Sequence, residues 1–171
     1  MIIFLTDLKN NNMKRIVLMR HGNAENSYQK DDFDRNLSEY GEEEININSI
    51  KLKNLNILPE IITVSKANRT KQTFNIFAKV INYSGIVKID EDLYNFHNTS
   101  EFITKYIETN NDNIQTIMFI GHNPTLSNLL QMLTGDLNTY MDTASIFVID
   151  FDIEKWINLK VRTGKIYFST N

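Results

Sequence analysis

The chain has 171 residues, enough for one domain of ordinary size around a single buried core. It is 42% hydrophobic and 23% charged with a net charge of −3, a composition typical of globular proteins that lacks the clustered basic excess of a nucleic-acid-binding surface. The absence of cysteine excludes disulfides, a thiol nucleophile and a cysteine zinc site and favours a cytoplasmic location, and no apolar stretch approaches the roughly 20 residues of a membrane span.

The first twelve residues differ from the rest of the chain. Their short apolar run has no basic region before it, which argues against a signal peptide, and residues 9–12 are polar and rich in asparagine. We therefore expect residues 1–12 to form a flexible extension that activity does not need, and residues 13–171 to form a single domain.

Strands and helices alternate along that domain. Short apolar runs predict strands at residues 16–19, 60–64, 86–89 and 116–120. Capping residues and apolar periodicity predict helices that start after Ser38, near Arg69, after Ser100 and at Pro124, the last capped by Asn123. Three further strands are predicted at residues 145–151, 156–162 and 166–168.

This alternation predicts an α/β fold. We expect a three-layer sandwich in which a mostly parallel central sheet carries helices on both faces, with an antiparallel element near the carboxyl end. In such a sheet, ligands bind in the crevice beyond the carboxyl ends of the strands.

Two of the predicted strands end in a histidine. Arg20-His21-Gly22 follows the first strand, and Gly121-His122-Asn123 follows the strand at 116–120. If these ends converge, both imidazoles, Arg20 and Arg69 surround one small anion. Phosphate is the natural candidate, because guanidinium groups match its oxygens two at a time.

The same residue types indicate nucleophilic chemistry. Neighbouring cations disfavour protonation of His21, which leaves one ring nitrogen free to attack phosphorus, while the arginines and His122 donate hydrogen bonds to the phosphoryl oxygens. Gly22 allows close approach of the backbone, and the helix that starts near Pro124 directs backbone N–H groups to the same place. A backbone acceptor on the other His21 nitrogen is needed to fix the tautomer.

Several motifs together resemble a known family. Residues 18–22, 65–73 and 121–124 are similar, in order and spacing, to the motifs of the histidine phosphatase superfamily, which has the phosphoglycerate mutase-like fold, and most of all to its small SixA-type phosphohistidine phosphatases. Residues 34–41, 91–94 and 143–145 also agree, so the resemblance covers about 14–167. The chain departs from the pattern at three positions, none of which removes a charged catalytic group: Asn36, Lys66 and Thr70.

The resemblance implies phosphoryl transfer through a phosphorylated His21, with neither metal nor cofactor. In this interpretation Arg20, Arg69 and His122 complete the catalytic set. Substrate binding also involves Gly22, Asn23 and Asn123. The general acid matches Glu91 by family position, with the loop aspartates Asp31, Asp32 and Asp34 as other candidates.

The connection at residues 94–99 is too short for the inserted segment that carries the general acid in larger relatives. We therefore expect an open site and a protein substrate, a phosphohistidine-bearing component of a phosphorelay or phosphotransfer chain, acted on by a monomer. Two alternatives stay open: a broad-range phosphomonoesterase or phosphoramidase, and a non-catalytic phosphate- or phosphoprotein-binding module. A zinc site is disfavoured, since no two histidines lie at ligand spacing.

Overall fold

A six-stranded mixed sheet forms the centre of the computed structural model, which describes residues 13–26, 31–94 and 98–171. The strand order is β3-β2-β4-β1-β5-β6. The first four strands in that order are parallel, whereas β5 runs antiparallel to β1 and β6 antiparallel to β5, which confirms the predicted antiparallel element. The strands are β1 (Lys14–Arg20), β2 (Ile61–Ser65), β3 (Ile86–Asp90), β4 (Thr116–Gly121), β5 (Ile146–Phe151) and β6 (Lys165–Ser169).

Helices cover both faces of this sheet, as the alternation predicts. They are α1 (Glu39–Asn54), α2 (Asn68–Ile81), α3 (Thr99–Phe102), which continues as a wider π-helical segment (Ile103–Glu108), and α4 (Thr125–Thr134). Successive residues of β1 point into different cores: Ile16 packs with apolar residues of α3 and α4, and Val17 packs with those of α1 and α2. A strand buried on both faces reads as a continuous apolar run, which is the pattern of residues 16–19.

Local sequence signals set most helix ends. The Ser38 hydroxyl oxygen accepts a hydrogen bond from the Gly41 amide at 3.1 Å and so caps α1, and Gly135 ends α4 with a φ of 80°. The expected cap at Ser100 is wrong, because Asn98 performs this role through a 3.2 Å bond from the Glu101 amide to its side-chain oxygen.

The predicted strand at residues 156–162 is wrong as well. Residues Trp156–Asn158 form a 3₁₀ turn, and Trp156 is fully buried. Its indole N–H donates to the Ile114 carbonyl at 2.9 Å. The indole therefore packs in the core near the start of β4. The edge of β5 on which the predicted strand could have paired is occupied by β6.

Two further expectations concern the first twelve residues and membrane-spanning segments. The expected extension at 1–12 lies outside the described residues. Among the residues that are described, no helix combines the length and the apolar character needed to cross a bilayer.

Candidate active site

The register of the central strands brings the two histidines together. Arg20 at the end of β1 pairs with Gly121 at the end of β4, so the next residues of both strands, His21 and His122, are neighbours. Their ring centres lie 4.9 Å apart, and the His21 amide donates to the Gly121 carbonyl at 3.1 Å. The parallel sheet thus assembles the pair from segments about a hundred residues apart.

His21 is held as a neutral imidazole with a defined tautomer. Its Nδ1 lies 2.7 Å from its neighbour's carbonyl, Gly22 O, so Nδ1 carries the proton and Nε2 the lone pair. Burial, together with the positive charges of Arg69 and Arg20, lowers the pKa of His21 to about 4 despite the hydrogen bond to Gly22. The backbone acceptor that the chemistry requires is therefore the carbonyl of Gly22.

Arg69, near the start of α2, contacts that lone pair directly. Its Nε donates to His21 Nε2 at 3.2 Å. Its Nη2 donates to the Asp32 carboxylate at 2.8 Å, and its Nη1 donates to the Asp32 carbonyl. The guanidinium thus occupies the lone pair of the nucleophile, and an anion must take over the Nε–H bond before His21 can attack.

His122 and Arg20 present buried polar atoms that have no hydrogen-bond partner among the described residues. His122 Nε2 lies 2.9 Å from the Ser65 hydroxyl, which leaves His122 Nδ1 unpaired. Arg20 Nη1 donates to the Met141 carbonyl at 3.0 Å, which leaves Arg20 Nε unpaired. Buried unpaired groups cost free energy. An oxyanion would accept from Arg20 Nε, and also from His122 Nδ1 when the Ser65 hydroxyl donates to Nε2 and the ring proton lies on Nδ1.

The electrostatic setting of His122 resembles that of His21. Burial, the neighbouring His21 and the charge of Arg69 lower the pKa of His122 to about 2. Both imidazoles are therefore neutral at physiological pH.

Close packing of α1 positions the backbone beyond His21. A Cβ on Gly22 would lie 2.6 Å from the Gly41 carbonyl oxygen, so only glycine allows this approach. Asn23 is exposed, and its side-chain oxygen accepts from the Ser38 hydroxyl at 2.8 Å. The structure thus ties Asn23 to the cap of α1, and its expected role in substrate binding stays a prediction.

Asn123 organises the start of α4. Its side-chain oxygen accepts from the Ser127 amide at 3.2 Å, and its amide nitrogen donates to the Met141 carbonyl at 2.8 Å. The helix begins at Thr125, one residue later than predicted, with Pro124 as its N-cap. Asn123 therefore fixes the loop whose carbonyl also holds Arg20.

A small cavity of about 130 Å³ lies beside His122. Its lining brings together residues of the first 3₁₀ turn (Asp32–Asp34), the second 3₁₀ turn (Asp92–Tyr94), α2 and the start of α4. The lining residues are Asp32, Arg69, Tyr94, His122, Asn123, Pro124 and Thr125.

The carboxylates expected as general acids lie in different places. Glu91 pairs with Lys66, its Oε2 2.5 Å from Nζ, and both side chains are at least half exposed. Asp32 instead lines the cavity next to Arg69. Among the described residues no group of three or more histidine, aspartate or glutamate side chains is arranged to hold a metal ion.

Sequence reasoning missed two residues of this site. Ser65 ends β2 beside β4, and a polar residue at a buried strand end was the signal that could have identified it as the partner of His122. The Tyr94 ring packs at 4.8 Å from the His122 ring, and the Tyr94 hydroxyl donates to Asp32. Tyr94 ends the 91–94 segment that agrees with the family, but nothing in that segment indicates this contact.

Comparisons with known proteins find a matching family model and structures of similar fold. A family model of the histidine phosphatase superfamily, branch 1, matches residues 16–100, about half of the chain and the part that includes His21 and Arg69. A sequence comparison with curated proteins gave no match.

Solved structures share the fold over almost the whole chain. The SixA protein of Agrobacterium tumefaciens is 23% identical with a TM-score of 0.77, and the similarity covers 92% of this chain and 97% of that one. A protein histidine phosphatase SixA complexed with tungstate is 20% identical with a TM-score of 0.78, over 91% and 95% of the two chains. A mycobacterial glucosyl-3-phosphoglycerate phosphatase is 14% identical with a TM-score of 0.62, over 91% and 98%.

Proposed function

We propose that this chain, which belongs to the histidine phosphatase superfamily, is a phosphatase that removes phosphoryl groups from histidine side chains of proteins. The observation that carries the proposal is the arrangement around His21 Nε2. His21, a neutral imidazole with a fixed tautomer, adjoins Arg20 in the chain and His122 in space, and within the described part of the chain Arg20 Nε and His122 Nδ1 are buried without a partner. A nucleophile next to unsatisfied donors suits attack on a phosphoryl group.

The reaction proceeds in two displacements. The phosphoryl oxygens accept hydrogen bonds from Arg20, His122 and the Nε–H of Arg69, which releases the lone pair of His21. His21 Nε2 then bonds to phosphorus while the bond to the leaving group breaks. Phosphorylated His21 keeps its proton on Nδ1, which donates to the Gly22 carbonyl, so the imidazole departs as a neutral ring when water attacks phosphorus. Both protons of the water leave with inorganic phosphate.

Hydrogen-bond donors surround the reacting centre, and no step of this mechanism uses a metal ion. The positive field of Arg20 and Arg69 stabilises charge on the equatorial oxygens as the phosphoryl group moves. Loss of a single donor of this kind typically costs about 10²- to 10³-fold in kcat.

The size of the cavity favours a phosphoryl group displayed on a protein. A pocket that encloses a metabolite usually measures roughly 300 to 1,000 Å³. The cavity beside His122 is lined by Arg69 and His122 but not by His21 or Arg20, and at about 130 Å³ it is too small to enclose a metabolite of that kind. Most of the substrate then stays outside, as it does when the substrate is a phosphohistidine side chain of a phosphorelay or phosphotransfer protein.

The nucleophile is tested by trapping the phosphoenzyme. Incubation with a ³²P-labelled phosphodonor should give an acid-labile, base-stable protein label that is absent from His21→Ala. His97→Ala, which alters the third histidine of the chain, is the matched control and should label normally. Tight binding of the donor without label or turnover would instead identify a binding module.

The substrate class is tested by competition between leaving groups. A phosphocarrier protein phosphorylated on histidine should be dephosphorylated with a higher kcat/KM than each member of a panel of sugar phosphates and other phosphomonoesters. A clear preference for the monoesters would refute the phosphohistidine assignment and favour the broad-range phosphomonoesterase.

A further inference from the structure

The carboxylate of Asp32 has a fixed place at the cavity beside His122. Its Oδ2 accepts from Arg69 Nη2 at 2.8 Å and from the hydroxyl of Tyr94, whose ring packs against His122. Its Oδ1 accepts from Arg35 Nη1 at 2.8 Å. Three side chains thus position this carboxylate, and Arg69 links it directly to the nucleophile.

The groups that face Asp32 keep it ionised. The Tyr94 hydroxyl, and then the guanidinium groups of Arg35 and Arg69, hold the pKa of Asp32 well below its ordinary value in spite of partial burial. The His122 ring packs against Tyr94, and its lowered pKa keeps it neutral. At the pH values where His21 is nucleophilic, Asp32 therefore has no proton to donate, which excludes it as a general acid.

The carboxylate still has room for one more hydrogen bond. Two carboxylate oxygens offer about four acceptor positions, and among residues 13–26, 31–94 and 98–171 the three donors named above occupy three of them. The side chain of Asp32 is 53% exposed. An N–H group of a substrate that enters the cavity from outside can therefore reach it.

The charge of Asp32 discriminates between two kinds of leaving group. An alkoxide that departs from a phosphomonoester needs a proton, which Asp32 lacks, and the carboxylate repels its developing negative charge. A phosphohistidine ring protonated on its free nitrogen departs as neutral imidazole. A carboxylate hydrogen-bonded to that N–H keeps the ring protonated until the P–N bond breaks.

We infer that Asp32 is a specificity-determining residue that accepts the free ring N–H of the substrate's phosphohistidine and so selects imidazole phosphoramidates over phosphomonoesters. The inference rests on the proposed function. In the first displacement the His21 Nε2–P bond forms, the substrate P–N bond breaks, and its electron pair remains on the departing ring nitrogen. The other ring nitrogen keeps its proton and donates it in a hydrogen bond to the Asp32 carboxylate. Asp32 thus does for the substrate ring what the Gly22 carbonyl does for His21.

The test compares Asp32→Asn with the wild-type protein on two small substrates. Phosphoimidazole carries the ring N–H, whereas p-nitrophenyl phosphate has a leaving group that needs no proton and has no N–H for Asp32 to accept. We expect the variant to lose about 10- to 100-fold more kcat/KM on phosphoimidazole than on p-nitrophenyl phosphate, the worth of one charge-assisted hydrogen bond. Asp92→Asn, in the neighbouring 3₁₀ turn, is the control and should leave the ratio unchanged.

The pH profile separates recognition of the ring from a role in placing Arg69. With phosphoimidazole, the rate falls at high pH as the substrate ring loses its proton, and this alkaline limb should move to lower pH in Asp32→Asn. Tungstate binding measured by calorimetry should be retained in the variant, which shows that the phosphate pocket is intact. Equal losses on both substrates with an unchanged profile would mean that Asp32 only positions Arg69.

Failure of the proposed function has a different signature. In that case the wild-type protein itself hydrolyses p-nitrophenyl phosphate but releases no phosphate from phosphoimidazole or a phosphohistidine protein, and the role of Asp32 is rejected along with it.

Discussion

His21 and His122 are basic groups that the fold keeps unprotonated. Burial makes the largest contribution for both, and the charge of Arg69 adds to it. The burial and positive charge that disfavour the imidazolium form also leave His21 Nε2 with a lone pair that can attack phosphorus. Reactivity of this residue is therefore linked to the pH dependence of stability.

That linkage predicts loss of stability in mild acid. The pKa of His21 is about 4 in the folded protein and about 6.5 in an unfolded chain, so between these values the unfolded state binds more protons. Stability therefore falls as the pH drops through this window. In the wild-type protein, His21 accounts for about 2 kcal/mol of the decrease in unfolding free energy from pH 7 to pH 5. The His21→Asn variant should lack this part of the decrease. Urea unfolding at the two pH values measures it, and an equal acid loss in both proteins would contradict the assignment.

At the scale of elements, α1 supports the site through its first turn. A Cβ on Gly41 would lie 2.1 Å from the carbonyl oxygen of Asn23, in the segment that follows His21 and Gly22. The helix can approach this segment only because residue 41 has no side chain. The Ser38 cap holds the same segment, since its hydroxyl donates to Asn23.

The packing of α1 predicts opposite outcomes for two helix substitutions. In a solvent-exposed helix position, alanine is the better helix former, by about 1 kcal/mol relative to glycine. Gly41→Ala should instead destabilise the protein by about 1 to 3 kcal/mol through overpacking and lower kcat/KM by displacing the backbone at His21. Asn46→Ala, at an exposed position of the same helix, should be neutral or stabilising. Urea unfolding and p-nitrophenyl phosphate hydrolysis test both, and a stable, active Gly41→Ala variant would refute the packing argument.

Local signals predict the elements whose pattern and packing agree. The continuous apolar run of β1 and the cap at Ser38 are examples, since the structure has both where the sequence places them. The run at 156–162 misleads because β-propensity does not say whether a neighbouring strand is available, and β6 already occupies that edge. The cap of α3 falls on Asn98 and not Ser100 because both residue types cap helices and tertiary packing chooses between them.

At the scale of the whole molecule, the parallel register explains why the central histidines were predictable. Because the ends of β1 and β4 lie side by side in the sheet, His21 and His122 come together independently of the loop conformations. The positions of Asp32 and Tyr94 depend on a contact between two 3₁₀ turns that lie far apart in the chain. No short-range sequence pattern predicts that contact. The catalytic pair is thus a property of the sheet, whereas the selectivity proposed for Asp32 is a property of the loops.

Charge distribution over the whole molecule predicts which ions bind. The chain has a net charge of −3, yet Arg20 and Arg69 give the site a positive field that attracts oxyanions and repels divalent cations. Tungstate at about 100 times its dissociation constant should stabilise the folded state by about 2.7 kcal/mol and raise Tm by about 5 to 10 °C. Activity should persist in EDTA.

Differential scanning calorimetry in tungstate, with sodium chloride at matched ionic strength as the control, measures the shift. His122→Asn should lose most of it, because the unpaired Nδ1 of His122 is one of the groups that the oxyanion satisfies. A full shift in that variant would place the anion elsewhere on the protein. Inhibition by EDTA that added zinc or magnesium reverses would show that a metal takes part and would contradict this prediction.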